Sequence, residues 1–580
     1  MKALAAVAAA AALAHAAPAH SQTTVDPKPK VAEMGPEVSE TEAVAKAKTH
    51  PQAIEALRDP KVYPSAFRSD SDRDWEVGFF KQGADQVLQV VVDDESGEIE
   101  EAWTGEQISW KMARGYPGAF GRTVNAPYVW LPLCGVFLLL LFDWRRPFRV
   151  AHLDLLVLVA GFGVSHYFFN LGKIGLSVPL AYPALLYLLA RTLWLGFRGG
   201  DGLRPSLPTV WIAIAVIALL GFRAGLNVTD SNVIDVGYAG VIGADKVSDG
   251  EPLYGDFPED NSHGDTYGPL AYYAYQPFEQ VLPWSGEWDD LPAAHAASIF
   301  FDLATTALLL WLGMRLRPGP KGRRLGTLLA AGWAACPYTA FALESNTNDS
   351  LVSLLLTAAL LFLTSPPARG ALLALATLTK FAPIALAPLF LTYDRSAHRT
   401  GGTAGGPTSG ALAPDVGGTA VTGPVRRVVQ TWGGFIGAFA LTTALVMAVT
   451  LVDPGLSTFW DRTVGNQAGR DSPFSVWGQV DLDWLHTIVK ALAIALAVFV
   501  AFRPKARGPV TVAALGAAVM IAVQLTVEHW FYLYIPWFLP FLLVALLARN
   551  ELSPAPIGSA SRGERPGRGT PVGSPRTAPG

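Results

Sequence analysis

Carboxylates, amides and a few cations collect at particular points of an otherwise apolar chain. Glu344 and the run Asn346-Thr347-Asn348-Asp349 open one apolar stretch. A helix N-cap accounts for one Asn or Asp at such a place, but not for Glu344 and both asparagines as well. Lys380 stands between two short apolar pieces with Pro383 close behind it. A charge there faces a polar cavity or snorkels to an interface. Glu528-His529-Trp530 interrupts the last apolar region, which a plain interhelical turn and a polar site explain equally well. Two long loops add to the set. Ala224 to Pro292 carries Asp230, Asp235 and Asp265 with Tyr267 and Tyr272, and Asp453 to Asp483 carries Gln467, Arg470 and Trp477. Their tyrosines and tryptophans also suit an interfacial belt around a solvated loop. As chemistry, a carboxylate can take a proton from a hydroxyl. Fixed cations meet developing negative charge.

The elements that must position these groups are membrane helices. Of 580 residues, 51% are hydrophobic and 16% charged, against roughly 25% charged in soluble domains. Mean hydropathy is +0.30. Apolar runs near the roughly 20 residues that cross a bilayer fall at 127–142, 152–170, 174–197, 207–223, 293–314, 325–343, 349–364, 430–452, 484–502, 509–527 and 530–548. The run 371–393, broken by Lys380 and Pro383, reads as two short helices meeting at the outer surface. That choice gathers roughly two dozen Lys and Arg residues on the inner side against about five outside. The expectation is a mainly α, polytopic bundle with thirteen crossings, its N-terminus outside and its C-terminus inside.

Lys2, the apolar Ala3–Leu13 and a small-x-small site at Ala14-His15-Ala16 or Ala17-Pro18-Ala19 read as a signal peptide over 1–21. Residues 22–120 read as a small extracytoplasmic α+β domain, with a helix near 40–57 and strands at 75–80, 87–92 and 98–103. Its run VLQVVVDDESGEIEEAWTG resembles PepSY-like domains. Three accessory helices (127–197) lead to the main module (207–548), whose outer loops are 224–292 and 453–483. Its cytoplasmic linker (394–429) and the tail (549–580) are rich in Gly, Pro and small residues and read as disordered. The net charge of −4 lends no basic footprint for nucleic acid. Cys134 and Cys336 both lie in apolar runs, and read as buried thiols. No GxxxxGK[ST] loop is present, and Asp481-Leu482-Asp483 reads as loop rather than a nucleotide-sugar motif.

The order of SNVIDVGYAGVIGADKVSDGEPLYG, GDTYGPLAYYAYQPFE, NTND, LTKFAPIALAPLFL and EHWFYLYIPWFLPF resembles the GT-C superfamily of membrane glycosyltransferases. It is nearest to the polyprenyl-phosphate-mannose-dependent enzymes of glycosyltransferase family 87, and covers roughly 207–548. The resemblance implies a bacterial plasma-membrane enzyme working on the extracytoplasmic side. Its donor would be a polyprenyl-phosphate sugar, mannose by default, and its acceptor a glycolipid, lipoglycan or protein. It also implies a carboxylate base in the first outer loop, Asp235 ahead of Asp230, and inversion at the anomeric carbon. Lys380, Arg470 and His529 would meet the donor phosphate, with His486 and Lys490 in reserve. Asp265, Tyr267, Asn346, Asn348, Asp349, Gln467, Trp477 and Glu528 would bind substrate. Asp235 is followed by Val236 where many members have Asp-Glu, which speaks against a metal-bound version. No cofactor is expected, and a divalent metal stays open. The main alternative is a lipid or glycan transporter or flippase, and a receptor or scaffold is the third.

Overall fold

The computed structural model describes residues 38–68, 74–81, 86–109, 111–114, 122–394, 424–468, 472–505 and 507–548. The expected signal peptide, most of the 394–429 linker, Arg470 and the 549–580 tail lie outside them. The chain divides into two compact units at Ile108/Ser109.

In the first unit, Ser39 caps helix α1 (Glu40–Ala47) in a reciprocal capping box with Glu42. Helix α2 (Pro51–Ala56) follows, so the stretch near 40–57 forms two helices divided around His50-Pro51. Four antiparallel strands run in the order β1 (Val62–Arg68), β2 (Asp74–Lys81), β3 (Gln86–Asp93) and β4 (Ile99–Thr104). Ala43, Ala47 and Ala53 pack on the sheet face formed by Trp75, Val77, Phe79, Leu88, Val90 and Val92. Small alanines let the helices lie close to the large strand residues. Strand β1 is not anticipated by the sequence reading. Pro64 disguises it, and such a proline is tolerated because β1 is an edge strand.

The second unit is helical. Among the described residues, six helices are long and apolar enough to cross a membrane. Helix α3 (Pro127–Leu141) is followed by α4 (Val150–Asn170), α5 (Ile174–Arg198), α6 (Thr209–Asp230) and the loop helix α7 (Asp235–Asp249). Then come α8 (Pro292–Leu316), α9 (Gly319–Ala334), α10 (Pro337–Glu344), α11 (Asp349–Leu361), α12 (Pro366–Thr379) and α13 (Ala382–Leu391). The bundle ends with α14 (Pro424–Val452), α15 (Asp483–Phe502), α16 (Pro509–Gln524) and α17 (Tyr532–Leu547). The long helices able to span are α4, α5, α6, α8, α14 and α15.

Helix α9 from Leu325 onward, and helices α10, α16 and α17, are buried almost all round, as uniform apolar sequence requires of core helices. Helices α6, α14 and α15 instead expose Trp211, Ile217, Leu441, Leu445, Leu492 and Ile494, apolar surface suited to lipid. The 325–343 run, read as a single span, breaks at Cys336 into α9 and α10, with Pro337 supplying the first residue of α10. The 371–393 run breaks at Lys380 as expected. Lys380 leaves the helix in an extended conformation (φ −141°, ψ 139°).

Candidate functional site

The site grows from the joint between α10 and α11. Asn346 there has φ 51°, the left-handed region that asparagine tolerates better than most side chains. Its Nδ2 donates to Ser231 Oγ (2.9 Å) and to the Asn232 carbonyl (3.1 Å), and its Oδ1 accepts from Asn227 Nδ2 (2.9 Å). The backbone adds two more links, Asn232 N–H to Glu344 O (3.2 Å) and Ile234 N–H to Ser345 O (3.3 Å). The chain entering α7 is thereby stitched to the joint. Gly237 makes the approach possible, since a Cβ there would stand 2.3 Å from the Asn346 carbonyl. Asn346 thus positions backbone, with both amide hydrogens taken by the chain itself.

Asp235 is the first residue of α7 and is exposed. A carboxylate is favoured at that positive helix end, and Asn261 Nδ2 holds its carbonyl at 3.0 Å. Asp230 is also exposed, at the last turn of α6, and accepts from the Thr123 hydroxyl.

Asp349 opens α11 and is fully buried. Its Oδ1 accepts from Lys380 Nζ at 2.6 Å and from the Trp537 indole N–H at 2.8 Å. Three rings, those of Tyr267, Tyr534 and Trp537, surround the ammonium with centroids 5.3–5.6 Å away. Charge pairing and ring quadrupoles together replace the water that Lys380 gives up on burial. Tyr267 is held to the end of α12 by a second close approach, where a Cβ on Gly268 would lie 2.1 Å from Leu378 O. Asp349 Oδ2 and both amide atoms of Asn348 are buried without a partner among the described residues.

Beneath the joint lies a second buried pair. Arg223 of α6 binds Asp302 of α8 at 2.6 Å and also donates to the carbonyls of Trp333, Ala334 and Thr339. The guanidinium thereby satisfies carbonyls freed where α9 ends and α10 begins. Glu344 sits nearby with neither carboxyl oxygen partnered among the described residues. It lies one residue beyond the 325–343 run, and burial, partly opposed by Arg223, pushes its carboxyl up to about 9. Arg223 and Asp302 were missed by the sequence reading, although charges within apolar runs are a signal for such pairs. Trp537, within the quoted EHWFYLYIPWFLPF stretch, was missed as well.

The remaining predicted residues gather elsewhere. Asp265 is buried and clasps the two long loops. Its Oδ2 accepts from Arg462 Nε (2.6 Å) and from the Gly255 N–H (2.8 Å). That pairing raises the pKa of Arg462 further. Gln467 is exposed on a short helical turn. Trp477 stacks on His486 with centroids 4.6 Å apart. The His486 Nδ1 lies 3.7 Å from Glu528 Oε1, which also binds Lys490 Nζ at 3.0 Å. His529 Nδ1 and Ser472 Oγ are 2.8 Å apart. Trp477, Glu528 and His529 thus form a group around the α15–α16 end, distinct in its contacts from the Lys380–Asp349–Trp537 group.

No set of three or more His, Cys, Asp or Glu side chains is arranged to hold a metal among the described residues. Compared with known proteins, the chain matches no family model and no curated protein sequence.

Proposed function

We propose that this chain is a GT-C-type membrane glycosyltransferase of thirteen crossings. It would move a sugar, mannose first, from a polyprenyl phosphate to an acceptor hydroxyl on the extracytoplasmic side. The observation that carries this reading is the stitched joint. One short segment, Glu344–Asp349, bonds the chain leading to the Asp235 carboxylate and also holds the buried Lys380–Asp349 pair. A base and a cation are thereby tied to one rigid element, as an in-line displacement requires.

In the proposed step the acceptor oxygen attacks the anomeric carbon as the carbon–oxygen bond to the lipid phosphate breaks. Asp235 takes the acceptor proton. The departing phosphate dianion is met by Lys380, whose ammonium has further hydrogens beyond the one given to Asp349. Direct displacement inverts the anomeric centre. Arg470 and His529 remain proposed donor-phosphate contacts, and a glycolipid, lipoglycan or protein the acceptor.

A transporter reading has one observation in its favour, the Arg223–Asp302 pair buried between helices. A transport pathway needs charges that exchange partners, whereas this guanidinium also anchors three backbone carbonyls. The glycosyltransferase reading therefore leads.

The test uses membranes expressing the chain with radiolabelled polyprenyl-phosphate-mannose. Label should reach a lipid or polymeric product, and Asp235→Asn should lower the rate about 10²–10⁴-fold. Loss in Asp230→Asn alone would move the base by five residues. No transfer from any polyprenyl-phosphate sugar, with folded protein and native acceptors present, would hand the lead to transport.

A further inference from the structure

The segment Ser231–Ile234 joins α6 to α7 and runs directly into Asp235. Besides its bonds to the α10–α11 joint, it is held by the chain that enters α8. The Trp288 indole N–H donates to the Val233 carbonyl at 3.0 Å. His295, in the first turn of α8, brings its Nδ1 to 3.0 Å from Asn227 Oδ1 and 3.3 Å from Ser231 Oγ. With the Asn227–Asn346 and Asn346–Ser231 bonds, both 2.9 Å, these contacts close a ring of four side chains. Asn227 and Asn346 are fully buried, and His295 is half-buried.

Counting hydrogens fixes what each atom of the ring does. The Ser231 hydroxyl spends its hydrogen on the Asn227 carbonyl at 2.7 Å. Asn346 gives its two to Ser231 Oγ and the Asn232 carbonyl. Asn227 gives its two to Asn346 Oδ1 and to the Leu343 carbonyl at 2.8 Å. Asn227 Oδ1 and Ser231 Oγ are therefore acceptors where they face His295, and Nδ1 must carry the proton. A bare Nδ1 would set two lone pairs against each other across 3.0 Å. Turning the Asn227 amide over would press its oxygen against Leu343 O and Asn346 Oδ1 instead.

We propose that His295 is a positioning residue for the base Asp235, its Nδ1–H closing the ring that holds Ser231–Ile234. The proposal rests on the glycosyltransferase reading, in which Asp235 must stay within hydrogen-bond reach of the acceptor hydroxyl. His295 acts there through Ser231 and Asn346 rather than on the reactants. The partner at Nδ1 selects the tautomer. Misplacing a reacting group by about 1 Å can cost 10²-fold in rate, so loss of the clasp is read in turnover.

Two substitutions of the full chain in lipid nanodiscs test this. Asn places an amide NH₂ where Nδ1–H stands, whereas Gln carries its amide out to the Nε2 position. His295→Gln should lower kcat for transfer from polyprenyl-phosphate-mannose by about 10–10²-fold with donor KM little changed. His295→Asn should stay within about threefold of wild type. Equal loss in the two folded variants, or no loss in either, overturns the proposal. Nitrogen-15 NMR of histidine-labelled protein reads the ring without turnover. At about pH 8, where an ordinary imidazole is neutral, the His295 signal should show a protonated Nδ1. That signal is the one missing from whichever variant folds, and a bare Nδ1 overturns the proposal. If wild-type protein transfers no sugar from any donor while Nδ1 is protonated, the transferase reading falls and the clasp stands. Transfer with a bare Nδ1 gives the reverse.

Discussion

At the scale of single residues, Glu344 makes a pH-dependent contribution whose sign follows from burial. Burial pushes its carboxyl from an ordinary value of 4.5 up to about 9 in the folded protein. The folded state therefore holds a proton that the unfolded chain releases over that interval, and stability falls as pH rises through it. The melting temperature of detergent-purified protein should drop between pH 5 and pH 9, and Glu344→Gln should flatten that slope. An unchanged slope in the variant would assign the pH dependence to other groups. Lys380 and Asp349 set a second expectation. Removing one member strands a buried charge, at about 3–5 kcal/mol, so Lys380→Met alone should destabilise more than Lys380→Met with Asp349→Asn. Denaturation of the two variants side by side checks the coupling. In the proposed reaction Lys380→Ala should also slow transfer by about 10²–10³-fold.

Among the elements, the α10–α11 joint decides where Asp235 stands. Gly237→Ala places a methyl against the Asn346 carbonyl, so α7 must shift and carry Asp235 with it. The clash is with backbone, so transfer and the melting temperature should both fall, as label transfer and a thermal melt of the variant would show. Asn346→Gly keeps the left-handed backbone and loses the side-chain bonds, whereas Asn346→Ala loses both. The alanine variant should be less stable than the glycine variant by about 1 kcal/mol. Some of this was legible in the chain. The break at Lys380 follows from a charge and a proline inside an apolar run. The break at Cys336 was hidden because α9 and α10 are both apolar, and hydropathy does not register a turn whose carbonyls are satisfied by a distant Arg223.

For the whole molecule, the distribution of Lys and Arg predicts which loops face the cytoplasm. In a chain with Cys134 and Cys336 replaced, Ser285→Cys should react with an impermeant maleimide in intact cells. Lys321→Cys should react only after permeabilisation. Both positions are exposed, so labelling reports side rather than burial, and the opposite pattern would invert the proposed topology.

Composition and run length pointed by themselves to a mainly helical chain with helices long and apolar enough to cross a membrane, because bilayer thickness imposes a local, countable period on sequence, and strand and turn patterning pointed to a small N-terminal sheet unit. The same local reading singled out Asn348, Asp349 and Lys380, and the family resemblance picked Asp235 from among the loop carboxylates. Which of them meet was decided only in the folded chain. Lys380 finds Asp349 across 31 positions, Trp537 reaches the same oxygen across 188, and Arg223 pairs with Asp302 across 79. Such partnerships leave no periodic trace, since they arise from the packing of helices whose sequences are each uniformly apolar. Packing likewise drew Asn346 into holding the backbone, Asp265 into clasping two loops, and His295 into a ring with Asn227, Asn346 and Ser231.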